Sequence, residues 1–499
     1  LAMKEQCGDA ILLFRCGDFY ETFMEDAKIA SEVLGITLTK KHAGKGETVP
    51  LAGVPYHSVQ SYIYRLTRAG YRVAICEQIE PAQKGVKLIQ RELVRTITPG
   101  TIVEGDVIDG KENNFLAALH DGGLYGWGLA YVDITTGDFR ATWESGQGAW
   151  EAIFNELSKV SPSELLLDTL SFEDESFKKR LTAELPTFLT EVPANSFTHE
   201  LLQERNVSVD FSKIEKKISA AERKLMLAPA GAVMAYLLDT QKEAINHLHG
   251  LEIYRRQEFM IIDRNTERNL ELLTGISGGK RWSLLGTLDQ TATAMGGREL
   301  RDWILRPLLS PEAIKRRQDL IEGLTEKPAL REDLRRRLRS VHDIPRLLGR
   351  ATFGNANARD LLSLRLSLDE IPTIGSLTQE ANLSEVCKRA LQVGQEPHPE
   401  PAVHSPAGVL LDDVRELREL LTNAIADEPP LTVREGGMIR DGYDRQLDEY
   451  RTITRSGRGT LAQLQEEERN RTGIPSLKVA YNKVFGYYIE VTKAHLDKI

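Results

Sequence analysis

The segment Gly275 to Arg281 comes closest to a nucleotide-binding sequence. A P-loop requires the spacing G-x-x-x-x-G-K-[ST], because its backbone amides surround the phosphates and its hydroxyl reaches the magnesium ion. This segment has one residue too few between its outer glycines, and Arg281 stands where Ser or Thr is required. We therefore predict a loop that joins two helices, and no nucleotide cofactor in this chain.

The histidines, cysteines and carboxylates do not show the spacing of a metal site. The ten histidines form neither an H-x-x-x-H nor an H-E-x-x-H array, and the four cysteines include no C-x-x-C pair. A structure-specific nuclease would need several carboxylates to converge on Mg²⁺, and Asp133, Glu151 and Glu164 are the candidates. Asp133 is better explained as a turn residue. Magnesium-dependent cleavage of a labelled duplex would decide between the two interpretations.

The segment Gly17 to Glu21 has two interpretations. Asp18 and Glu21 have the spacing of a helix N-cap and its capping-box partner, and Phe19 is spaced to join Phe23 and Ala27 in a core. Spacing alone favours this structural interpretation. The alternative is that Phe19 is an exposed apolar wedge that enters between base pairs and kinks the duplex, with Glu21 touching the unstacked base.

Basic residues are concentrated in one region of an acidic protein. The net charge of −9 excludes a uniformly basic nucleic-acid coat, but residues 38–100 carry ten Lys and Arg against four Glu, a net charge of +6. Each basic side chain alone is most simply a solvated surface charge. The candidates for contacts with a phosphate backbone are Lys40, Lys41, Arg91 and Arg95 in the first region and Lys478, Asn482 and Lys483 near the C-terminal end.

Alternating strand and helix patterns must position these side chains. The apolar run Ile11–Phe14 predicts a buried strand, and the periodicity of Tyr20–Leu34 predicts a helix. A second helix, Ser58–Ala69, precedes a strand at Tyr71–Cys76. Residues 1–113 are therefore expected to form a mixed α/β domain.

Strand patterns restart after residue 113 and predict a second α/β domain. Its expected strands are Phe115–Leu119, Leu124–Ile134, Asp138–Trp143 and Glu164–Leu167, with a helix at Ala149–Lys159. From about residue 244 the strand signals fade and helical periodicity dominates, with Pro307, Pro311 and Pro345 marking helix starts or bends.

The last hundred residues combine long helices with a hairpin. Helices are predicted at Leu410–Ala426 and Tyr443–Arg471, the second with a soft interruption at 456–459, followed by strands at Leu477–Tyr481 and Phe485–Val491. The hairpin aromatics are expected to pack against the long helix rather than to stack on bases; they are Tyr481, Phe485, Tyr487 and Tyr488.

Length and composition indicate a multidomain globular protein. A chain of 499 residues, 41% hydrophobic and 27% charged, suits three or four domains of ordinary soluble composition. No apolar run reaches the roughly 18 residues needed to span a bilayer, and no signal peptide opens the chain. Together with the isolated cysteines, these features predict a cytoplasmic protein.

The segment Phe14 to Glu21 is one of several distinctive strings that follow one another along the chain. The others are Leu38 to Lys40, Ala52 to His57, Ala74 to Gln78, Thr98 to Thr101, Asp263 to Leu270, Met295 to Arg298 and Lys478 to Ile489. In these strings and in their order, the chain resembles the bacterial-type MutS family of DNA mismatch repair proteins over essentially its whole length, and Phe14 to Glu21 resembles that family's mismatch-recognition motif.

The resemblance implies four domains. They are a mixed α/β mismatch-recognition domain at 1–113, an α/β RNase H-like but non-catalytic connector at 114–243, the first part of an all-α core with long lever helices at 244–446, and most of a helix-plus-β-hairpin clamp at 447–499. The family's ATPase domain, which holds ATP and Mg²⁺, is expected beyond Ile499. This chain itself is therefore not expected to be an enzyme.

The resemblance also implies a function. Phe19 would be the wedge at mismatched or looped-out bases in double-stranded DNA, and Glu21 would accept a proton, or borrow one from the base, to hydrogen-bond the displaced base. Expected partners are a second subunit in a homodimer and a MutL-like protein, in a cytoplasmic, nucleoid-associated setting. Relatives devoted to meiotic or branched DNA lack the Phe-x-Glu pair, so Phe19 and Glu21 argue against that alternative. Lys41 stands where Arg is common in the family, which keeps the charge but loses the bidentate fork.

Overall fold

The chain divides into two compact units in a computed structural model. The first comprises residues 1–356 and 363–415, and the second comprises residues 357–362 and 416–499. The structure describes residues 2–42, 48–78, 91–103, 109–211, 218–241, 245, 247–248, 250–380, 410–482, 486–492 and 495. Within these ranges, no helix combines the length and the apolar character that crossing a membrane requires.

Among the described residues of the N-terminal hundred, six strands form a mixed sheet that is accompanied by three α-helices. The strands are β1 (Ile11–Cys16), β2 (Phe19–Phe23), β3 (Thr39–His42), β4 (Thr48–Pro55), β5 (Val73–Gln78) and β6 (Arg91–Ile97), in the order β3-β4-β2-β1-β5-β6. The helices are α1 (Ala2–Cys7), α2 (Met24–Leu34) and α3 (Val59–Arg68). The first three residues of β1 are buried, and β1 and β2 lie at the centre of the sheet.

The helix predicted from Tyr20 is wrong at its N-terminal end. Residues Phe19–Phe23 form β2, which pairs antiparallel with both β1 and β4, and α2 begins only at Met24. Its N-cap, Phe23, makes no side-chain capping bond. Pairing with two neighbouring strands satisfies the backbone of residues 19–23, so the capping-box spacing of Asp18 and Glu21 is not used by a helix.

A seven-stranded sheet follows. Its strands are β7 (Leu116–Asp121), β8 (Trp127–Asp133), β9 (Asp138–Glu144), β10 (Glu164–Asp168), β11 (Phe188–Val192), β12 (Ser208–Asp210) and β13 (Gly250–Ile253), in the order β11-β10-β7-β8-β9-β13-β12. The helices are α4 (Ala149–Val160), α5 (Thr169–Glu173), α6 (Glu175–Glu184), α7 (Glu200–Glu204) and α8 (Ala220–Gln241). The predicted strands and helix of this region are confirmed, except that the strand predicted from Leu124 begins only at Trp127, because residues 123–125 form a 3₁₀ turn.

The sheet extends beyond residue 243, where helical structure was expected to take over. In β13, Leu251 and Ile253 are buried while their neighbours are more exposed, and the strand pairs in parallel with β9 and β12. A four-residue strand is too short to give a clear alternation in the sequence. Only its pairing with strands distant in sequence reveals it.

The rest of the first unit is mainly helical. The helices are α9 (Arg264–Asn269), α10 (Leu284–Leu288), α11 (Ala294–Leu305), α12 (Pro311–Thr325), α13 (Pro328–Leu338), α14 (Ile344–Thr352) and α15 (Ala358–Glu380), whose first residues belong to the second unit. Pro311 opens α12 and Pro345 lies in the first turn of α14, as predicted. Residues 275–281 form a loop between α9 and α10, which confirms that interpretation of the glycine-rich segment.

The C-terminal part of the chain contains α16 (Leu410–Ala424), α17 (Arg445–Thr472) and the antiparallel pair β14 (Lys478–Asn482) and β15 (Gly486–Glu490). The predicted interruption in the second helix is wrong, since α17 continues through residues 456–459. Among the residues with described side chains, two hydrogen bonds connect the start of the hairpin to α17. Arg469 donates to the Leu477 carbonyl at 2.7 Å, and the Val479 amide donates to the Gln465 side chain at 3.0 Å.

Candidate nucleic-acid interface

A two-residue turn between β1 and β2 presents Phe19 at the end of the sheet. Cys16 pairs with Phe19 across the turn, and Gly17, its first central residue, has φ of +59°. Glycine with positive φ at this position is typical of a type II′ hairpin, whose twist matches that of the strands. The Tyr56 amide donates to the Asp18 carbonyl at 2.9 Å, which ties the turn to the end of β4.

Phe19 is exposed, so the interpretation that places it in the core is wrong. Its side chain is 48% exposed, whereas the next residue, Tyr20, is 5% exposed and donates from its hydroxyl to Glu77. Successive side chains of a strand point to opposite faces. Phe19 therefore shares its face with Glu21, and burial of Tyr20 on the other face fixes which side the Phe19 ring takes.

Glu21 forms an ion pair with Lys41 from the edge strand β3. Lys41 Nζ lies 2.8 Å from Glu21 Oε2, and the two side chains are 51% and 21% exposed. The hydrogen bond to Glu21 raises the pKa of Lys41, against the opposing effect of desolvation. The Cys16 thiol lies beside the same carboxylate. Burial, and to a smaller extent the negative charge of Glu21, raises the pKa of this thiol. Cys16 is therefore a neutral thiol at physiological pH.

Gly53 leaves space beside these two side chains. It pairs with Glu21 across β2 and β4, and a Cβ atom built on Gly53 would lie 3.9 Å from side-chain atoms of both Phe19 and Glu21. Both contacts are at van der Waals distance. The absence of a side chain at Gly53 therefore leaves the flank of the Phe19 ring open.

The predicted basic residues of this domain lie on the two edge strands. Lys40 and Lys41 are exposed on β3, and Arg91 and Arg95 are partly buried on β6 at the opposite edge. The Arg91 guanidinium lies 4.7 Å from the centroid of the Phe14 ring, and its Nε donates to the Arg15 carbonyl at 3.3 Å. The sheet thus brings cationic side chains to both sides of the central β1–β2 hairpin.

The C-terminal hairpin has its own candidates. Lys478 is exposed at the start of β14, opposite Glu490 on β15, and Asn482 ends β14 opposite Gly486. Lys483 lies outside the described residues, as does Phe485.

The expectation that the hairpin aromatics pack on the long helix is wrong for two of them. Tyr481 and Tyr487 are 61% and 65% exposed, and their ring centroids lie 5.0 Å apart. A cross-strand contact between two rings keeps part of each apolar face out of water without a helix. Tyr488 is partly buried.

The candidate nuclease carboxylates do not converge on a common point. Asp133 ends β8 and accepts from the Thr135 amide at 2.9 Å, as the turn interpretation predicts, and from Asn113 at 3.1 Å. Glu164 is fully buried and accepts from the hydroxyls of Thr190 and Tyr236. Glu151 is exposed. Across the ranges that the structure describes, no group of three or more His, Cys, Asp or Glu side chains could hold a metal ion.

Three further residues belong to the candidate interface; from sequence alone they were only parts of the strings Phe14 to Glu21 and Ala52 to His57, with no role of their own. They are Arg15, Tyr56 and Gly53, which surround the turn that carries Phe19. Only strand pairing brings Tyr56 and Gly53 next to residues 17–21. A prediction of the β1–β2 hairpin would have placed Arg15 opposite Tyr20.

Comparison with known proteins shows similarity along most of the chain. The family model for MutS domain I matches residues 1–106, that for MutS domain II matches residues 114–249, and that for MutS domain III matches residues 265–486.

Curated relatives match over the same extent. The DNA mismatch repair protein MutS of Acetivibrio thermocellus is 38% identical over 504 residues, which cover 100% of this chain and 55% of the relative. Those of Geobacillus thermodenitrificans and Geobacillus kaustophilus are 42% and 43% identical, over 100% of this chain and 51% and 52% of the relatives. The chain therefore spans about half the length of the curated relatives it matches.

Proposed function

Because the chain belongs to the MutS family of DNA mismatch repair proteins, we propose that it binds mispaired or looped-out bases in duplex DNA by inserting the ring of Phe19 between base pairs. The observation that carries the proposal is an apolar ring, 48% exposed, at the end of the central β1–β2 hairpin. Such wedges unstack one base step and kink the duplex, by roughly 20–90° in other proteins.

The energy of ring burial explains why a mismatch is needed. Complete burial of a Phe side chain is worth about 1.5–3 kcal/mol, and about half of that remains to be gained because the ring is 48% exposed. Unstacking a base step costs a few kcal/mol and costs least where pairing is already defective. Ring burial alone is therefore too weak to open a paired step, and the ring enters where the duplex is already weak.

Glu21 follows the wedge on the same face of β2 and contacts the displaced base. A carboxylate beside phosphates weakens binding to matched duplex by charge repulsion. A hydrogen bond between Glu21 and a mispaired base, with the base as donor or with a proton shared between them, offsets this loss of affinity. Lys41 neutralises Glu21 at 2.8 Å before DNA binds. On binding, Lys41 moves to a phosphate and leaves Glu21 to the base.

Affinity comes from contacts with the phosphate backbone, which do not depend on sequence. In the first sheet these contacts are made by Lys40 and Lys41 on one edge and by Arg91 and Arg95 on the other. In the C-terminal hairpin they are made by Lys478, Asn482 and Lys483.

The domain roles follow from the same proposal. Residues 1–113 recognise the mismatch. Residues 114–243, together with strand β13 (Gly250–Ile253) of the same sheet, form the RNase H-like connector without catalysis. The remaining residues up to 446 supply core and lever helices, and residues 447–499 supply the clamp. The complete protein acts as a cytoplasmic homodimer, hydrolyses ATP with Mg²⁺ in a domain outside these residues, and engages a MutL-like partner. The chain described here supplies recognition rather than catalysis.

The test is binding by the complete gene product that carries these residues to matched, G·T and one-nucleotide-loop duplexes. Phe19→Ala should abolish the preference for the defective duplexes and leave the far-UV circular dichroism native. Leu124→Ala is the matched control, because Leu124 is 101% exposed in the second sheet region, far from Phe19 in sequence, and should leave the preference intact. Retention of the preference by Phe19→Ala would overturn the proposal.

A further inference from the structure

We infer that Arg15 is a positioning residue that holds the turn carrying Phe19. This inference rests on the proposed function, because it gives Arg15 a role in presenting the wedge. It assigns the selectivity of the interface partly to a side chain that need not touch DNA.

Arg15 is fixed in place by two aromatic rings. It lies next to the end of β1, opposite Tyr20. Its guanidinium carbon is 3.8 Å from the centroid of the Tyr56 ring and 5.3 Å from that of Tyr20. A guanidinium held over an aromatic ring at these distances is attracted by the ring quadrupole, and its planar shape allows stacking that an ammonium group cannot reproduce.

From this position Arg15 bonds the turn directly. Its Nε donates to the Gly17 carbonyl at 2.6 Å, while the Tyr56 amide donates to the carbonyl of the next residue, Asp18, at 2.9 Å. Both central residues of the turn are therefore held by the same neighbour. Tyr56 holds Asp18 through its backbone and Gly17 through the stacked Arg15.

Fixing these carbonyls matters because Phe19 follows them immediately. A turn containing a glycine at φ of +59° has wide conformational freedom when its carbonyls are bonded only to water. Ordering a mobile segment on binding reduces affinity, and a segment already fixed in its bound conformation avoids that loss. Arg15 therefore fixes the direction of the Phe19 ring before DNA binds. Loss of Arg15 should affect insertion of the ring more than contacts with the phosphate backbone of the DNA.

The opposing explanation is that Arg15 binds a phosphate. Loss of a phosphate contact weakens binding to every duplex and lowers the slope of log K against log[salt] by roughly 0.9. Loss of a positioning residue instead lowers the preference for a mismatch and leaves the affinity for matched duplex and the salt slope unchanged. The two roles are therefore separable in one titration series.

The experiment compares Arg15→Lys, Tyr56→Leu and Tyr56→Phe in the complete gene product. Binding is measured over a range of salt concentrations to matched duplex and to duplex with one G·T mispair flanked by 2-aminopurine, whose fluorescence rises on unstacking. Arg68→Lys is the matched control, because Arg68 also lies over a tyrosine ring, that of Tyr64 at 5.7 Å, but on α3 rather than at the turn.

Arg15→Lys and Tyr56→Leu should each lower the mismatch preference by up to about tenfold, the fold-change expected when one side chain must be ordered on binding. Both should also reduce the rise in 2-aminopurine fluorescence. Tyr56→Phe, which keeps the ring, should retain more of the preference than Tyr56→Leu, and Arg68→Lys should behave as wild type. If thermal unfolding shows that Arg15→Lys is not folded, Tyr56→Leu decides, because it leaves the charge of Arg15 in place.

An unchanged preference in the folded variants would overturn the inference, as would an equal loss on both duplexes with a shallower salt slope. A wild-type protein with no mismatch preference would instead overturn the proposed function. The two failures are therefore distinguishable within the same data set.

Discussion

Replacing Glu21 with Gln should make the protein bind ordinary duplex more tightly and discriminate less well. In the free protein the carboxylate holds Lys41 at 2.8 Å, and the 51% exposure of Lys41 places the pair among surface ion pairs. Such pairs are worth about 0.2–1 kcal/mol. Releasing Lys41 from the pair therefore strengthens its contact with a phosphate by at most about fivefold.

The dependence of the binding affinity on salt concentration gives a second quantity that can be predicted. Lys41 reaches a phosphate in the wild type and in Glu21→Gln alike, so both should show the same slope of log K against log[salt]. This one contact contributes roughly 0.9 to that slope, or about a 3.5-fold change in affinity over a fourfold change in salt. Mismatched duplex also loses a charge-assisted hydrogen bond to the base, worth about 1.5–3 kcal/mol before the amide of Gln replaces part of it. The preference for G·T over matched duplex should consequently fall by about tenfold.

The assay is fluorescence anisotropy with matched and G·T duplexes across salt concentrations, for Glu21→Gln, Lys41→Gln and the double variant. Lys41→Gln should weaken binding to both duplexes and flatten the slope. The double variant should show the flatter slope of Lys41→Gln, because the ammonium group that contacts the phosphate is absent. If Glu21→Gln leaves the preference and the matched-duplex affinity at wild-type values, Glu21 has no part in discrimination.

Two further predictions concern the rest of the chain. Lys478→Gln should flatten the salt slope by roughly 0.9 and weaken matched and G·T binding equally; a selective loss on G·T duplex would contradict a backbone contact. Glu156→Gln should lower the free energy of unfolding in urea by about 3 kcal/mol, because Glu156 is 2% exposed and Arg306 lies 2.7 Å away. Burial alone would raise the pKa of Glu156, but Arg306 and Lys159 outweigh it and lower the pKa to about 2. This stabilisation is complete above pH 4.5, the ordinary pKa of a Glu, and is lost as pH falls toward 2, so the difference between variant and wild type should shrink over that range. A difference in the free energy of unfolding that does not depend on pH would contradict a stabilising role for the ionised Glu156 side chain.

Much of the fold could be predicted from local patterns. The alternation of Asp138–Glu144 and the apolar run of Glu164–Asp168 gave strands close to their observed bounds. The turn at Asp133 was predictable because its side chain bonds the backbone two residues later, a purely local interaction. Local patterns succeed where neighbouring residues decide the structure.

The failures involve competition from distant residues. Asp18 and Glu21 have a helix-capping spacing, but pairing of β2 with β1 and β4 prevails over it. The pair formed by Glu21 and Lys41 joins residues 20 apart in sequence and depends on the order of strands β2, β4 and β3. Neither result can be derived from periodicity, because both require the sheet to be assembled first.

A structure of the complete protein bound to a duplex with a single G·T mispair would test the wedge most directly. We expect the Phe19 ring to lie stacked against the mispaired base, with the duplex kinked at that step and Glu21 within hydrogen-bond distance of the displaced base. A Phe19 ring packed only against protein side chains, beside an unkinked duplex, would contradict the account.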